Sequence, residues 1–235
     1  MTKHAQLNNL QHRDLRIITK LGAEYGDNVM GAITFPAEFR NVQAHYPILF
    51  MKSPEGVFTP LALFGLHEKQ NLFLNGNHWD AHYVPLMIER QPFLIGASAG
   101  GQVVHIDMDS PRVSKTEGEP VFREHGGNSE FLDRISVLLG TIHDGLAATP
   151  AFLDAVLEHN LLESFVLDIK FGDGAEFRFG GFYTIQEEKL AKLDAAALGK
   201  LHEKGHLQAI YMVIASLSQF RDLIERASRL DADKR

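Results

Sequence analysis

Cysteine is absent from the 235-residue chain. Disulfides, thiolate nucleophiles, thiolate zinc sites and iron–sulfur clusters are therefore excluded. Basic charge is also scarce, with 23 Lys and Arg against 30 Asp and Glu, a formal net charge of −7 with neutral histidines. A surface of that sign repels phosphate backbones and no basic run offsets it, so nucleic acid is not an expected partner. No apolar run reaches the roughly 18 residues of a membrane helix. The best one, Leu207 to Phe220, is broken by Gln208, Ser216 and Ser218. Met1 to Asn9 carries neither the apolar core nor the cleavage site of a secretion signal. No membrane span is expected, and the expected address is the cytoplasm.

What the chain does contain is an ordinary globular mixture, 45% hydrophobic and 23% charged, at a length that buries a core without staples. Its patterning predicts an α+β fold. The first half is read as mostly antiparallel strands with a short helix. Leu15–Ile18, Val29–Ile33, Tyr46–Lys52, Val57–Leu66 and Asn71–Leu74 are short apolar or β-branched runs between turn signals. Phe93–Ala97 and Gln102–Met108 read as a hairpin around Gly100-Gly101, and Asp109–Pro120 as an exposed loop. Trp79–Arg90 reads as the short helix, with Pro85 in its first turn.

The second half is read as mostly helical. One helix is expected from a cap at Asn128 to Gly145, and a second from Thr149-Pro150 to His159. Leu161–Phe171 and Glu176–Tyr183 read as a hairpin about Gly172-Asp173-Gly174. Short helices at 185–192 and 195–204 precede a closing helix at 207–230, expected to bury Leu207, Tyr211, Ile214, Leu217 and Ile224. The division is placed between residues 1–120, the β-rich half, and 121–235, the helical half with its hairpin at 161–183, or the two form one integrated domain.

Motifs for catalysis fail on their context. Gly96-Ala97-Ser98-Ala99-Gly100 matches the nucleophile elbow, but that motif needs a helix after the serine and a β-branched run follows instead. Its bland meaning is a small-residue hairpin turn. His105-Ile106-Asp107 has the H-x-D spacing of a facial-triad iron oxygenase, and strand alternation puts both side chains on one face. With 12 histidines in the chain, a chance match is easy, and no third ligand stands out among His125, His143 and His159. His78 and His82 stand four apart, but Pro85 argues against one helix carrying both. No Walker A sequence, no dinucleotide fingerprint and no complete calcium loop occurs. No catalytic residue, metal ligand or cofactor is assigned.

The most unusual segment is Trp79 to Phe93, with the only tryptophan amid Tyr83, Pro85, Arg90 and Phe93. Aromatic and Arg side chains give large contact areas with a polar handle, and so serve as binding anchors. Tyr46, on the strand expected beside it, joins them as a candidate contact for a partner or ligand. The competing meaning of each aromatic is a core side chain.

Here the chain resembles the SapC-like family of bacterial proteins over nearly its whole length. The likeness runs through His12-Arg13-Asp14-Leu15-Arg16, Tyr46-Pro47-Ile48-Leu49-Phe50, Leu61-Ala62-Leu63-Phe64-Gly65-Leu66 and Asn71-Leu72-Phe73. It continues through Trp79, Tyr83-Val84-Pro85, Pro92-Phe93, Leu161-Leu162-Glu163, Gly181-Phe182-Tyr183 and Ser216-Leu217-Ser218-Gln219. Glu89-Arg90-Gln91-Pro92-Phe93 departs from the family's R-R-Y-P-F. The resemblance implies an accessory role in handling a peptide or nutrient, near halogenase-like, cupin-like and TonB-dependent receptor gene products. The expectation is a non-enzymatic adaptor that binds a protein or peptide. The alternatives are an iron-dependent oxygenase at His105 and Asp107 and, behind it, a serine hydrolase at Ser98.

Overall fold

The computed structural model describes residues 3–98, 101–170 and 176–233, with backbone alone at Ala97, Ser98 and 231–233. The turns expected at Gly100-Gly101 and Gly172-Asp173-Gly174 fall partly or wholly outside the described residues. The fold is α+β. The first half is mostly antiparallel strands; a long helix and further helices fill the second.

Two compact units are each assembled from separate stretches of chain. One comprises Met1–Asn28, Leu74–Asp80 and Leu86–Asp144; the other Val29–Phe73, Ala81–Pro85 and Gly145–Arg235. This partition does not follow a division near residue 120. Long-range pairing is the reason: Phe182 and Tyr183 lie opposite Met51 and Phe50, so one sheet draws strands from both halves.

In the first unit, His4–Gln6, Gly101–Asp107 and Phe93–Ser98 form a three-stranded antiparallel sheet, containing the hairpin read from the sequence. A second small sheet has Arg16–Ile17 at its centre, flanked by Val113–Ser114 and Glu119–Pro120. The expected loop at 109–120 thus contains two strands, and its Arg112 is buried. Leu15, Ile17, Phe93, Ile106 and Val121 share a core with Phe131, Leu132, Ile135 and Leu139. Trp79 belongs to a two-residue strand, His78–Trp79, paired with Leu74–Asn75; the helix of this segment covers only Leu86–Glu89. Helix therefore starts just after Pro85, whose fixed φ and missing N–H keep it out of a helix interior.

The second unit is built on a five-stranded sheet ordered Leu162–Lys170, Glu176–Ile185, Ile48–Lys52, Phe58–Leu63, Gly31–Ile33, with every neighbouring pair antiparallel. Its core is aromatic: Tyr46 lies 5.1 Å from Phe64 and 4.8 Å from Phe73, ring to ring, and Phe39 meets Phe152 edge-on at 5.8 Å. The closing segment is helical over His206–Ser216 and Phe220–Asp233, joined by a 3-10 turn. Its inner face is turned from the one expected. Ile210, Val213, Ser216, Phe220 and Leu223 are buried, whereas Tyr211 is 53% exposed. Ser216 holds that register by accepting a hydrogen bond from Ile48 N at 2.8 Å and donating one to Val213 O at 2.6 Å.

One 29-residue helix, Glu130–Glu158, replaces the two expected, with Pro150 inside it. The cap is Ser129, whose Oγ accepts from Leu132 N at 3.2 Å; Asn128 bonds the Asp133 side chain instead. A proline removes one ladder bond and normally ends a helix. Here the Thr149 hydroxyl donates to Gly145 O at 2.8 Å, and Phe152, Leu153 and Val156 bury the next turns. Tertiary packing overrides the local signal.

Candidate functional site

Residues at the edge of the five-stranded sheet build an accessible apolar site. Strand Phe58–Leu63 pairs over Phe58–Ala62 with Ile48–Lys52, and Leu63 N bonds Pro47 O at 2.9 Å. On its other side, Gly31–Ile33 covers only Leu61–Leu63, and one more bond runs from Thr34 N to Pro60 O at 3.1 Å. Backbone groups of alternate residues point the same way in a strand. Since Pro60 O faces this edge, so do the N–H and C=O of Phe58, which have no backbone partner there among the described residues. Pro60 has no N–H to offer, which suits a strand edge.

Beside this open edge runs the second part of the long helix. Leu146, Thr149, Pro150, Leu153, Asp154 and Leu157 recur at three- and four-residue spacing and so share a face. They and Ile33, Thr34 and Gly56–Pro60 line a groove of about 420 Å³, in which Asp154 is the only charged residue among those described. That volume lies within the ~300–1,000 Å³ range of ligand pockets. Val57, Leu146 and Leu157 are 61%, 38% and 43% exposed, so apolar surface faces solvent at the groove.

A buried polar network supports the groove from within the same unit. Glu38 is 3% exposed; it accepts from Thr34 Oγ1 at 2.6 Å and from the Tyr83 hydroxyl at 2.9 Å. The Tyr46 hydroxyl in turn donates to Tyr83 O. His45 and His82 lie 6.0 Å apart, ring to ring, and burial, reinforced by the neighbouring His82, holds the His45 pKa below the usual histidine value. Two of the residues expected as contacts, Tyr46 and Tyr83, are thus linked to the groove through Thr34.

Of the six expected contacts, four are buried in the fold. Tyr46 and Phe93 are fully buried, Trp79 is 4% exposed and Pro85 is buried, so their area goes into packing rather than an accessible face. Arg90 is half-buried, and its Nη1 donates to Phe93 O at 2.6 Å; burial lowers its pKa. The six also divide between the units, with Tyr46, Tyr83 and Pro85 in one and Trp79, Arg90 and Phe93 in the other.

Of the catalytic motifs, His105 and Asp107 lie two apart on strand Gly101–Asp107. Among the described residues, no group of three His, Asp or Glu side chains converges closely enough to hold a metal ion. The His105 ring packs over Gly96, where an added Cβ would meet it at 2.3 Å. That close approach accounts for the first glycine of the elbow-like run. A strand, not a helix, follows Ser98, and its side chain lies outside the described residues. His78 sits in a strand and His82 outside any regular element, so the four-residue spacing is not helical.

The groove escaped sequence reasoning because its walls come from distant stretches. Pro60 inside an apolar strand was the one available signal of an open edge. A family model described as SapC matches residues 7–223. No curated protein and no solved structure matches the chain.

Proposed function

The chain belongs to the SapC family, and we propose that it acts as a non-enzymatic accessory protein of the cytoplasm whose groove binds an extended, apolar peptide or protein segment. The observation that carries this reading is the unpaired edge at Phe58 beside a nearly uncharged groove. An added strand there gains main-chain hydrogen bonds from Phe58, while alternate side chains enter the apolar space, the usual division of labour in strand addition. Tyr46 and Tyr83 act as positioning residues, holding Glu38 and through it Thr34 on the groove wall.

The test is capture from the native host with the wild type and with Val57→Glu/Leu157→Glu, read beside hydrogen exchange in the complex. Both positions are exposed enough to accept charge without loss of fold. A partner retained by the wild type, lost by the variant and protecting the Phe58 amide is expected. A partner retained in full by the folded variant refutes the reading.

A further inference from the structure

The small sheet of the first unit gathers cations. Its central strand, Arg16–Ile17, follows Arg13; one flanking strand ends just before Lys115, and the other leads into Arg123. These four cations line one cavity of about 570 Å³, together with the carboxylates of Asp14 and Glu124. The recess therefore carries an excess of positive charge in a chain whose net charge is −7. Among the described residues, none of the four is in an ion pair.

The arginines are held, not loose. Arg13 Nη2 donates to Glu124 O and Arg16 Nε donates to Gly118 O, each at 3.0 Å. Leu15 between them is buried in the core and fixes the backbone from which both extend. Each guanidinium has five N–H donors, so most remain available to an anion. Four cations outnumber the two carboxylates beside them, so a net repulsion among like charges remains, and an anion in the recess relieves it.

We propose that this recess binds the phosphate group of a small soluble ligand. A phosphate ester carries about −1.5 to −2 charges near neutral pH and three strong acceptor oxygens. Arginine forks match that geometry in pairs, and lysine adds a point charge. The net acidity of the chain disfavours a long polyanion, whose flanking charges would meet the rest of the surface, and favours a compact ligand. This site is independent of the apolar groove, and neither reading needs the other.

The test is calorimetric titration with inorganic pyrophosphate at low ionic strength. The variant is Lys115→Gln/Arg123→Gln, because among the described residues neither side chain makes a hydrogen bond that supports the fold. The control is Lys170→Gln/Arg178→Gln, which removes two exposed cations from the other unit. Saturable, salt-sensitive binding by the wild type is expected, weakened roughly tenfold in the cavity variant by the loss of two nearby charges. The control should stay within about twofold of the wild type, as its charges lie outside the recess. Absence of binding by the wild type, or equal weakening in the control, overturns the proposal.

Discussion

The buried ion pair of the first unit gives the sharpest test of how that unit is held. Asp27 is fully buried and Arg112 is 3% exposed. Arg112 Nη2 reaches both Asp27 oxygens, at 2.7 and 2.6 Å, while Nη1 donates to Ile18 O at 3.1 Å and Lys20 O at 2.7 Å. Asp27 Oδ2 also accepts from Gly22 N at 2.8 Å, and the guanidinium carbon lies 5.4 Å from the centre of the Tyr25 ring. One side-chain pair therefore ties together the strand end at Ile18, the turn at 22–27 and the segment before Val113. Arg112 Nε has no hydrogen-bond partner among the described residues, so the desolvation of the cation is not fully repaid.

Removing one member of such a pair leaves a buried charge alone and costs about 3–5 kcal/mol. For a protein of this size each kcal/mol lowers the melting temperature by about 2–4 °C, so a drop of roughly 6–20 °C follows if the unit unfolds with the whole. Asp27→Leu and Arg112→Met should each fall in that range by urea and thermal melts. The double variant removes both charges, and although Gly22 N–H and two carbonyls lose partners, no isolated ion remains. It should therefore cost no more than Asp27→Leu alone. Single costs that add in the double variant would show that the two charges are not coupled, and the reasoning would fail. A loss under about 1 kcal/mol for either single variant, the scale of an exposed pair, would fail it as well.

Where local patterning and tertiary packing agreed, the sequence was legible. The Phe93–Asp107 and Leu162–Ile185 hairpins have apolar or β-branched strands with glycine turn signals, and both form. Thr149-Pro150 misled because a start signal and a proline inside a helix look alike locally; Thr149 bonding Gly145 O and the buried Phe152 decide between them. Trp79 and its neighbours looked like anchors because contact surfaces and cores draw on the same residue types. Burial separates the two, and burial is set by segments far away in the chain. His12-Arg13-Asp14-Leu15-Arg16 was visible only as a family likeness. Its physical content, two tethered arginines either side of a core leucine, needed the flanking strands that bring Lys115 and Arg123 alongside.

Two further tests probe the second unit. A Cβ at Gly145 would lie 2.2 Å from the Phe35 ring, and Phe35 is fully buried, so Gly145→Ala should lower stability despite alanine's helix propensity. Overpacking of this kind costs about 1–3 kcal/mol; an unchanged or raised denaturation midpoint would mean the ring moves aside freely. The second test concerns pH. His45 and His206 both have folded pKa values below the usual 6.5, His45 through burial and then His82, His206 through burial and then Lys204. A lowered folded value means the unfolded chain binds more protons once pH falls below about 6.5, and stability rises with pH wherever that holds. The contribution is complete above the unfolded value and is lost as pH drops through 6.5 towards the folded values. Denaturation midpoints measured from pH 7.5 to 5 should therefore decline, and His45→Gln should make the decline shallower. An equal slope in wild type and variant would show that His45 titrates alike in both states, and that its burial beside His82 has no bearing on stability.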